Sequence, residues 1–392
     1  MILRQKFFIL INFIVLLFYS TQLSISYKEI ITLESYSILS WFVNIFLETF
    51  GVNDFILRLP MILLHISSTI LIFLISKENS FKFGDAYFST LFFTLLPGVI
   101  SASLVVNDAG LTIFLLLLFI YLHYRVGDKA MFILLFYLLV NSSFILLYIS
   151  LFVYFLYQKD KNYSLFALLL IVIDYHFYGF DIGGHPNAYI LDTLAAYGAV
   201  MSPFIFLYYI YAVYRVYIKE EKNIFWFITT IPFLVSLFLS LRQPVAFELF
   251  APYLVIAIPL MSKIFIRGYR VRLKMFRTSY KWLFVFLSTT LIISTLLIYL
   301  NKFLYPFLEN KEKHFLYKYH IAKELANKLH KLNINSIGVD DIQLQKRLTF
   351  YGIDDSNNYI LSHRPISKDD KNVTISYNGI KIVEFYVSNI NN

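Results

Sequence analysis

Apolar runs dominate the first three quarters of the chain. They fall roughly at 7–23, 60–76, 86–106, 109–124, 129–140, 143–157, 162–178, 196–218, 223–240, 245–266 and 280–300, with short polar stretches between them. Such runs predict membrane-crossing helices, because ~20 consecutive apolar residues span the hydrocarbon core of a bilayer. The pair flanking Asn141-Ser142-Ser143 is too short for two full crossings. It reads either as two half-length helices meeting at a polar break or as one long tilted span. The first run follows Arg4 and Lys6 and ends without a small-x-small cleavage site, which predicts an uncleaved first span.

After about residue 300 the pattern changes. His314 to His330 is amphipathic and Lys-rich, as expected of a helix. Ser336 to Asp340 reads as a short strand, and Asp341 to Tyr351 as a helix with Asp at its start. Asn358 to Ser362, Val373 to Tyr377 and Lys381 to Val387 read as strands, the last two joined at Asn378-Gly379 as a hairpin. The expected architecture is therefore an all-α polytopic bundle of about eleven spans over 1–300, followed by a small α/β domain over 301–392.

Composition agrees: 58% of residues are hydrophobic and only 15% charged, against roughly 25% charged in a soluble domain. The abundance of Phe and Tyr carries less weight, because an A/T-rich genome gives the same bias together with Ile, Lys and Asn. With no Cys, disulfides, thiolate catalysis and Cys-ligated metals are excluded.

The net charge of +9 would suggest nucleic acid, but its placement argues otherwise. Lys and Arg fall at Arg4/Lys6, Lys77/Lys82, Arg125/Lys129, Lys159/Lys161, Lys219/Lys222 and in a cluster from Arg267 to Lys281. With eleven crossings these all lie on one side, and the positive-inside rule makes that side cytoplasmic. The charge thus marks topology, with contact to anionic lipids for the Arg-rich loop. The same count places 24–59, 179–195, 241–244 and the tail outside a cytoplasmic (inner) membrane.

Ionisable groups beside spans are costly and mark candidate sites. Most here sit at outer ends of spans, whereas a transporter more often places charge near the midplane. His65 and Arg215 are exceptions and read as packing or snorkelling residues. Four constellations remain. Glu29, after Tyr27-Lys28, is a candidate general base half-buried at the interface. Asn107-Asp108 stands at a tight outer turn, where it is either a helix cap or a holder of a divalent cation or a phosphate's counter-ion. Asp174-Tyr-His176 with Asp181 and His185 lies near a Gly-Gly bend and fits no known metal motif. Arg242, with Glu248 a turn or two on, is either a phosphate ligand or half of a local ion pair.

Trp41 to Pro60, with Phe50-Gly-Val-Asn-Asp-Phe and Leu57-Arg-Leu-Pro, resembles the first outer loop and second span of GT-C fold glycosyltransferases of the protein mannosyltransferase/ArnT-like group. Pro97 inside the third span, Asn107-Asp108 at the next outer turn, two short helices after the fourth span and an outer α/β tail extend the similarity in layout. The specific sequence match is confined to about 20 residues. The resemblance implies sugar transfer from a polyprenyl-phosphate donor to an extracytoplasmic glycan, lipid or protein, with the reactive face formed by 24–59. It implies a catalytic acid at the start of that loop. Where the family has an acidic pair, usually Asp-Glu, this chain has Lys28-Glu29, so the role passes to Glu29 or to Glu34. The family's second-loop acid corresponds to Asp108. Arg58, Asn107, His185, Arg242 and Glu248 are the expected substrate and phosphate ligands, with a divalent cation (Mg or Mn) as the expected cofactor if there is one. A non-enzymatic cell-envelope assembly protein and a lipid-linked glycan transporter are the alternatives.

Overall fold

The computed structural model describes residues 2–79, 83–179, 188–356, 358–365, 370–377 and 379–389. They are mostly helical, with one small sheet near the carboxy terminus. Four helices are long and apolar enough to cross a membrane: Asp54–Glu78, Asp108–Tyr137, Phe247–Val271 and Lys274–Tyr299. Counting each of three bent helix pairs as one span raises the number to seven. Lys6–Ser20, Ser142–Gln158 and Ile224–Leu239 are apolar but shorter.

Two compact units emerge. A helical unit comprises Met1–Phe13, Ser37–Leu39 and Met61–Thr295; a tail unit comprises Ile14–Tyr36, Ser40–Pro60 and Leu296–Asn392. Most of the stretch 24–59, read above with the bundle, therefore groups with the carboxy-terminal tail.

Bends in the helical unit have local causes. The run expected at 86–106 is two helices, Phe83–Leu95 and Pro97–Leu104, meeting at 62°. Pro97 lacks the N–H that a continuous helix would need and instead starts the second one. The run at 196–218 is likewise divided, at 104°, by Pro203 after Ser202, which sits at φ +72°. Glycine permits close approach beside these bends: a Cβ on Gly98 would lie 2.5 Å from Val200 Cγ1, and one on Gly110 2.9 Å from the Ala102 carbonyl oxygen. Around Asn141 the polar break expected from the sequence is present. The helix Leu134–Tyr137 ends before it, and Asn141 caps the 3₁₀ turn Ser142–Phe144 that leads into Ile145–Gln158.

In the tail unit, helix Lys318–Lys331 presents Ile321, Leu325 and Leu329 every fourth residue to a core shared with Leu348, Leu361 and Phe385. The strands are β1 (Gly338–Val339), β2 (Tyr359–Ser362), β3 (Lys371–Tyr377) and β4 (Ile380–Asn389), ordered β1-β2-β4-β3. β1 and β2 are parallel and the other pairs antiparallel. β4 turns Val383, Phe385 and Val387 inward on alternate positions, which fixes its register against the core. The expected hairpin joins β3 to β4, with Tyr377 opposite Ile380 and Gly379 at φ +77°; Asn378 lies outside the described residues. Helix Ile342–Phe350 begins at Asp341, whose side chain accepts from the Gln343 amide. This helix packs on Tyr27–Glu34, and so brings the amino-terminal loop into the tail unit.

Candidate functional site

The first site belongs to the tail unit and is built by two helix starts. Ser26 caps helix Tyr27–Glu34 in a reciprocal capping box: its hydroxyl accepts from the Glu29 amide, and Glu29 Oε2 accepts from the Ser26 amide at 2.8 Å. Asn53 opens helix Asp54–Asn79 by accepting from the Ile56 amide. One turn on, Arg58 reaches back. Its Nη2 lies 3.6 Å from Glu29 Oε2 and donates to the Ser24 carbonyl at 3.0 Å, while Nη1 lies 3.5 Å from Asp54 Oδ1.

The tail completes the set. Tyr351 donates its hydroxyl proton to Asp54 Oδ1 at 2.6 Å and accepts from the Ile25 amide at 2.8 Å. Burial, then the neighbouring Asp54 carboxylate, pushes the Tyr351 phenol well above its ordinary pKa, so it stays a donor. Lys323 Nζ is 2.9 Å from Asp54 Oδ2 and also donates to the Thr21 carbonyl. Two carboxylates thus face two cations, with Glu29 and Arg58 at 0% exposure and Asp54 at 4%. Ion groups this deep are tolerated when paired and hydrogen-bonded.

That geometry differs from the expected roles. Glu29 is fully enclosed rather than half-buried, and its carboxylate serves the helix cap and the ion pair. Arg58 is enclosed with it and presents no surface to a phosphate. Glu34 is exposed and pairs with Lys346 at 2.6 Å, which raises the Lys346 pKa; such surface pairs contribute little.

The second site belongs to the helical unit. Asn107 caps helix Asp108–Val126, accepting from the Gly110 amide at 3.3 Å, and Asp108 follows in the first turn, partly exposed. Asp108 accepts a hydrogen bond from the Asn141 side chain and lies within electrostatic reach of Glu248, in the first turn of helix Phe247–Val255. Asn141 also donates to Thr112 and accepts from the Ser143 amide, while Tyr253 donates to the Ser143 carbonyl at 2.7 Å. The cap and the acid thus coexist at this turn, on adjacent residues.

Asp174 is a further member, placed by the sequence in a separate constellation. It is fully buried on helix Lys161–Tyr178, and neither carboxylate oxygen has a hydrogen-bond partner among the described residues. Tyr148, Tyr178 and Tyr253 lie within its electrostatic reach, and Tyr178 also senses Asp108. His176 points to the exposed side of the same helix, so Asp174 and His176 do not converge. Asp181 and His185 lie outside the described residues. Arg242 is exposed on the turn that precedes the helix carrying Glu248.

Among the described residues no group of three or more His, Asp or Glu side chains is arranged to hold a metal ion. Asp108 and Glu248 offer two carboxylates, fewer oxygen ligands than a protein cage for a hard divalent cation uses. His65 packs as expected, stacked on Phe93 with Nε2 3.1 Å from Asn12 Oδ1. No protein-family model matches this chain, and no curated protein or solved structure matches it.

Proposed function

We propose that the protein is an integral-membrane glycosyltransferase of the inner membrane, moving a sugar from a polyprenyl-phosphate donor to an extracytoplasmic glycan, lipid or protein. In this reading the acceptor hydroxyl attacks the anomeric carbon and the bond from that carbon to the lipid phosphate oxygen breaks. The acceptor's proton passes to Asp108, and polyprenyl phosphate leaves. The observation that carries the assignment is the contrast in access: Asp108 is partly exposed and oriented by Asn141, whereas Glu29 is enclosed. Glu248 supports it as a second acid beside Asp108. Exposed Arg242 is the guanidinium proposed for the departing phosphate.

The test is release of free polyprenyl phosphate by purified protein offered a panel of lipid-linked sugars, with and without Mg²⁺ or Mn²⁺. Turnover that Asp108→Asn abolishes and Glu29→Gln leaves measurable supports the reading. Full turnover in Asp108→Asn removes the base assignment, and no turnover with any donor removes the transferase. A non-enzymatic role in cell-envelope assembly is the second reading, favoured by the complete enclosure of Glu29 and Arg58. It requires that cells carrying Asp108→Asn keep the protein's function.

A further inference from the structure

Four elements of the helical unit, Phe83–Leu95, Pro203–Lys219, Ile258–Val271 and Lys274–Tyr299, enclose a cavity of about 490 Å³. Its walls are almost wholly apolar, with Phe88, Phe92, Met261, Phe265 and Phe284 prominent. The charged lining residues gather at one end. Asp85 begins the first helix, Arg270 ends the third, and Lys281 stands in the early turns of the fourth. From Ile258 to Arg270 the lining helix rises ~18 Å at about 1.5 Å per residue, so the cavity is a slot with an apolar body and a cationic mouth.

The mouth carries positive charge that its protein partners do not balance. Between Arg267 and Lys281 stand six cations and no acid. Arg270 Nη2 pairs with Asp85 at 2.6 Å, yet its Nη1 is buried without a hydrogen-bond partner among the described residues. A buried guanidinium donor left idle is costly, and the shape of the fork suits a phosphate alongside the carboxylate. Arg267 pairs elsewhere, with Glu220, and Arg272 lies over the Tyr280 ring. The wall opens outward through Phe88 and Val285, which are 43% and 49% exposed on helices that carry apolar faces.

We propose that this slot binds one anionic phospholipid of the surrounding bilayer, with a hydrocarbon chain against Phe88, Phe92, Phe265 and Phe284 and its phosphate on Arg270 Nη1 and Lys281. The apolar length excludes a soluble phosphate as the fitting ligand, and the cationic mouth selects against a zwitterionic headgroup. The site is independent of sugar transfer, since none of its residues belongs to the acid group around Asp108.

The experiment is native mass spectrometry of the full chain in detergent, titrated with phosphatidylglycerol or phosphatidylcholine, with thermal unfolding in parallel. The expected result is one retained phosphatidylglycerol, a raised Tm with that lipid alone, and at least tenfold weaker retention in Lys281→Gln and in Val285→Trp, which fills the slot from its exposed side. Lys274→Gln, basic but outside the lining, is expected to retain the lipid as the unaltered chain does. Equal retention of phosphatidylcholine overturns the proposal. So does an equal loss in Lys274→Gln and Lys281→Gln, which would mean diffuse attraction to the basic cluster, and so does unchanged retention in Val285→Trp. Because binding and not turnover is read, the result stands apart from the transferase test.

Discussion

The two acid groups are organised in opposite ways. In the tail unit Glu29 and Asp54 are each within reach of the Arg58 guanidinium, Asp54 is also held by Lys323 and Tyr351, and helix caps fix the backbone around both. In the helical unit Asp108 stands beside another acid and an amide, and Asp174 has no hydrogen-bond partner among the described residues. A neutralised cluster with its donors and acceptors met gives a fixed junction between chain segments. An acid kept beside another acid, partly open to solvent, is free to take up or release a proton. Under the proposed reading the first group is scaffolding and the second carries the chemistry, whereas the sequence offers Glu29, Glu34 and Asp108 alike as the reactive acid.

The largest effects should separate the groups by what fails. Asp108→Asn is expected to lower polyprenyl-phosphate release by ~10²–10⁴-fold, the usual contribution of a general base, with the melting curve nearly unchanged. A large drop in Tm alongside the loss of turnover would make Asp108 a structural residue instead. Arg58→Met should do the reverse, costing about 3–5 kcal/mol by leaving Glu29 and Asp54 short of their shared cation. Adding Glu29→Gln should return part of that in thermal unfolding of the detergent-solubilised protein; no recovery would break the account of the pair. Tyr351→Phe, which removes one hydrogen bond to Asp54 and one from Ile25, should cost about 1–3 kcal/mol by the same measurement.

A pH effect sharpens the contrast further. His320 is 1% exposed in the tail unit, its Nδ1 2.8 Å from the Tyr305 hydroxyl. Burial, then Lys302 and His314, holds its pKa down to about 3, against about 6.5 for a free histidine. Between those values the unfolded chain binds the extra proton, so the unit should lose stability as pH falls from 6.5 toward 3. His320→Asn should flatten that slope in unfolding curves recorded across the range. The smallest effect is expected at the surface: Glu34→Gln should leave Tm unchanged within error, and a clear drop would raise the Glu34–Lys346 pair above the ordinary surface ion pair.

The tail was readable because its signals are local. Alternation in β3 and β4, Asp341 before a helix and a two-residue turn each depend on a few neighbours. The break at Asn141 was legible for the same reason. The Glu29 cap is legible too, since Ser26-x-x-Glu29 is a capping-box pattern that competes with the acid-pair resemblance for the same residue. What no local pattern carries is the partnership of Asp54 with Tyr351, 297 positions away. Asp174 stands at the end of an apolar run, where sequence alone does not tell a loop-end acid from a buried one; its burial comes from its place beside Ala167 and Leu170 on the inner face of helix Lys161–Tyr178.

That long separation has a consequence for biosynthesis. Glu29, Asp54 and Arg58 leave the ribosome early, and the Tyr351 hydroxyl that serves Asp54 follows 297 residues later. At roughly 5–20 residues per second, the interval is about 15–60 s. During it Asp54 lacks the Tyr351 hydroxyl and the Lys323 ammonium that hold it in the finished chain, and the nascent loop waits half-assembled. Chains truncated before Tyr351 should therefore be the preferred prey of membrane proteases, and the carboxy-terminal tail becomes the last quality checkpoint for a loop made near the start.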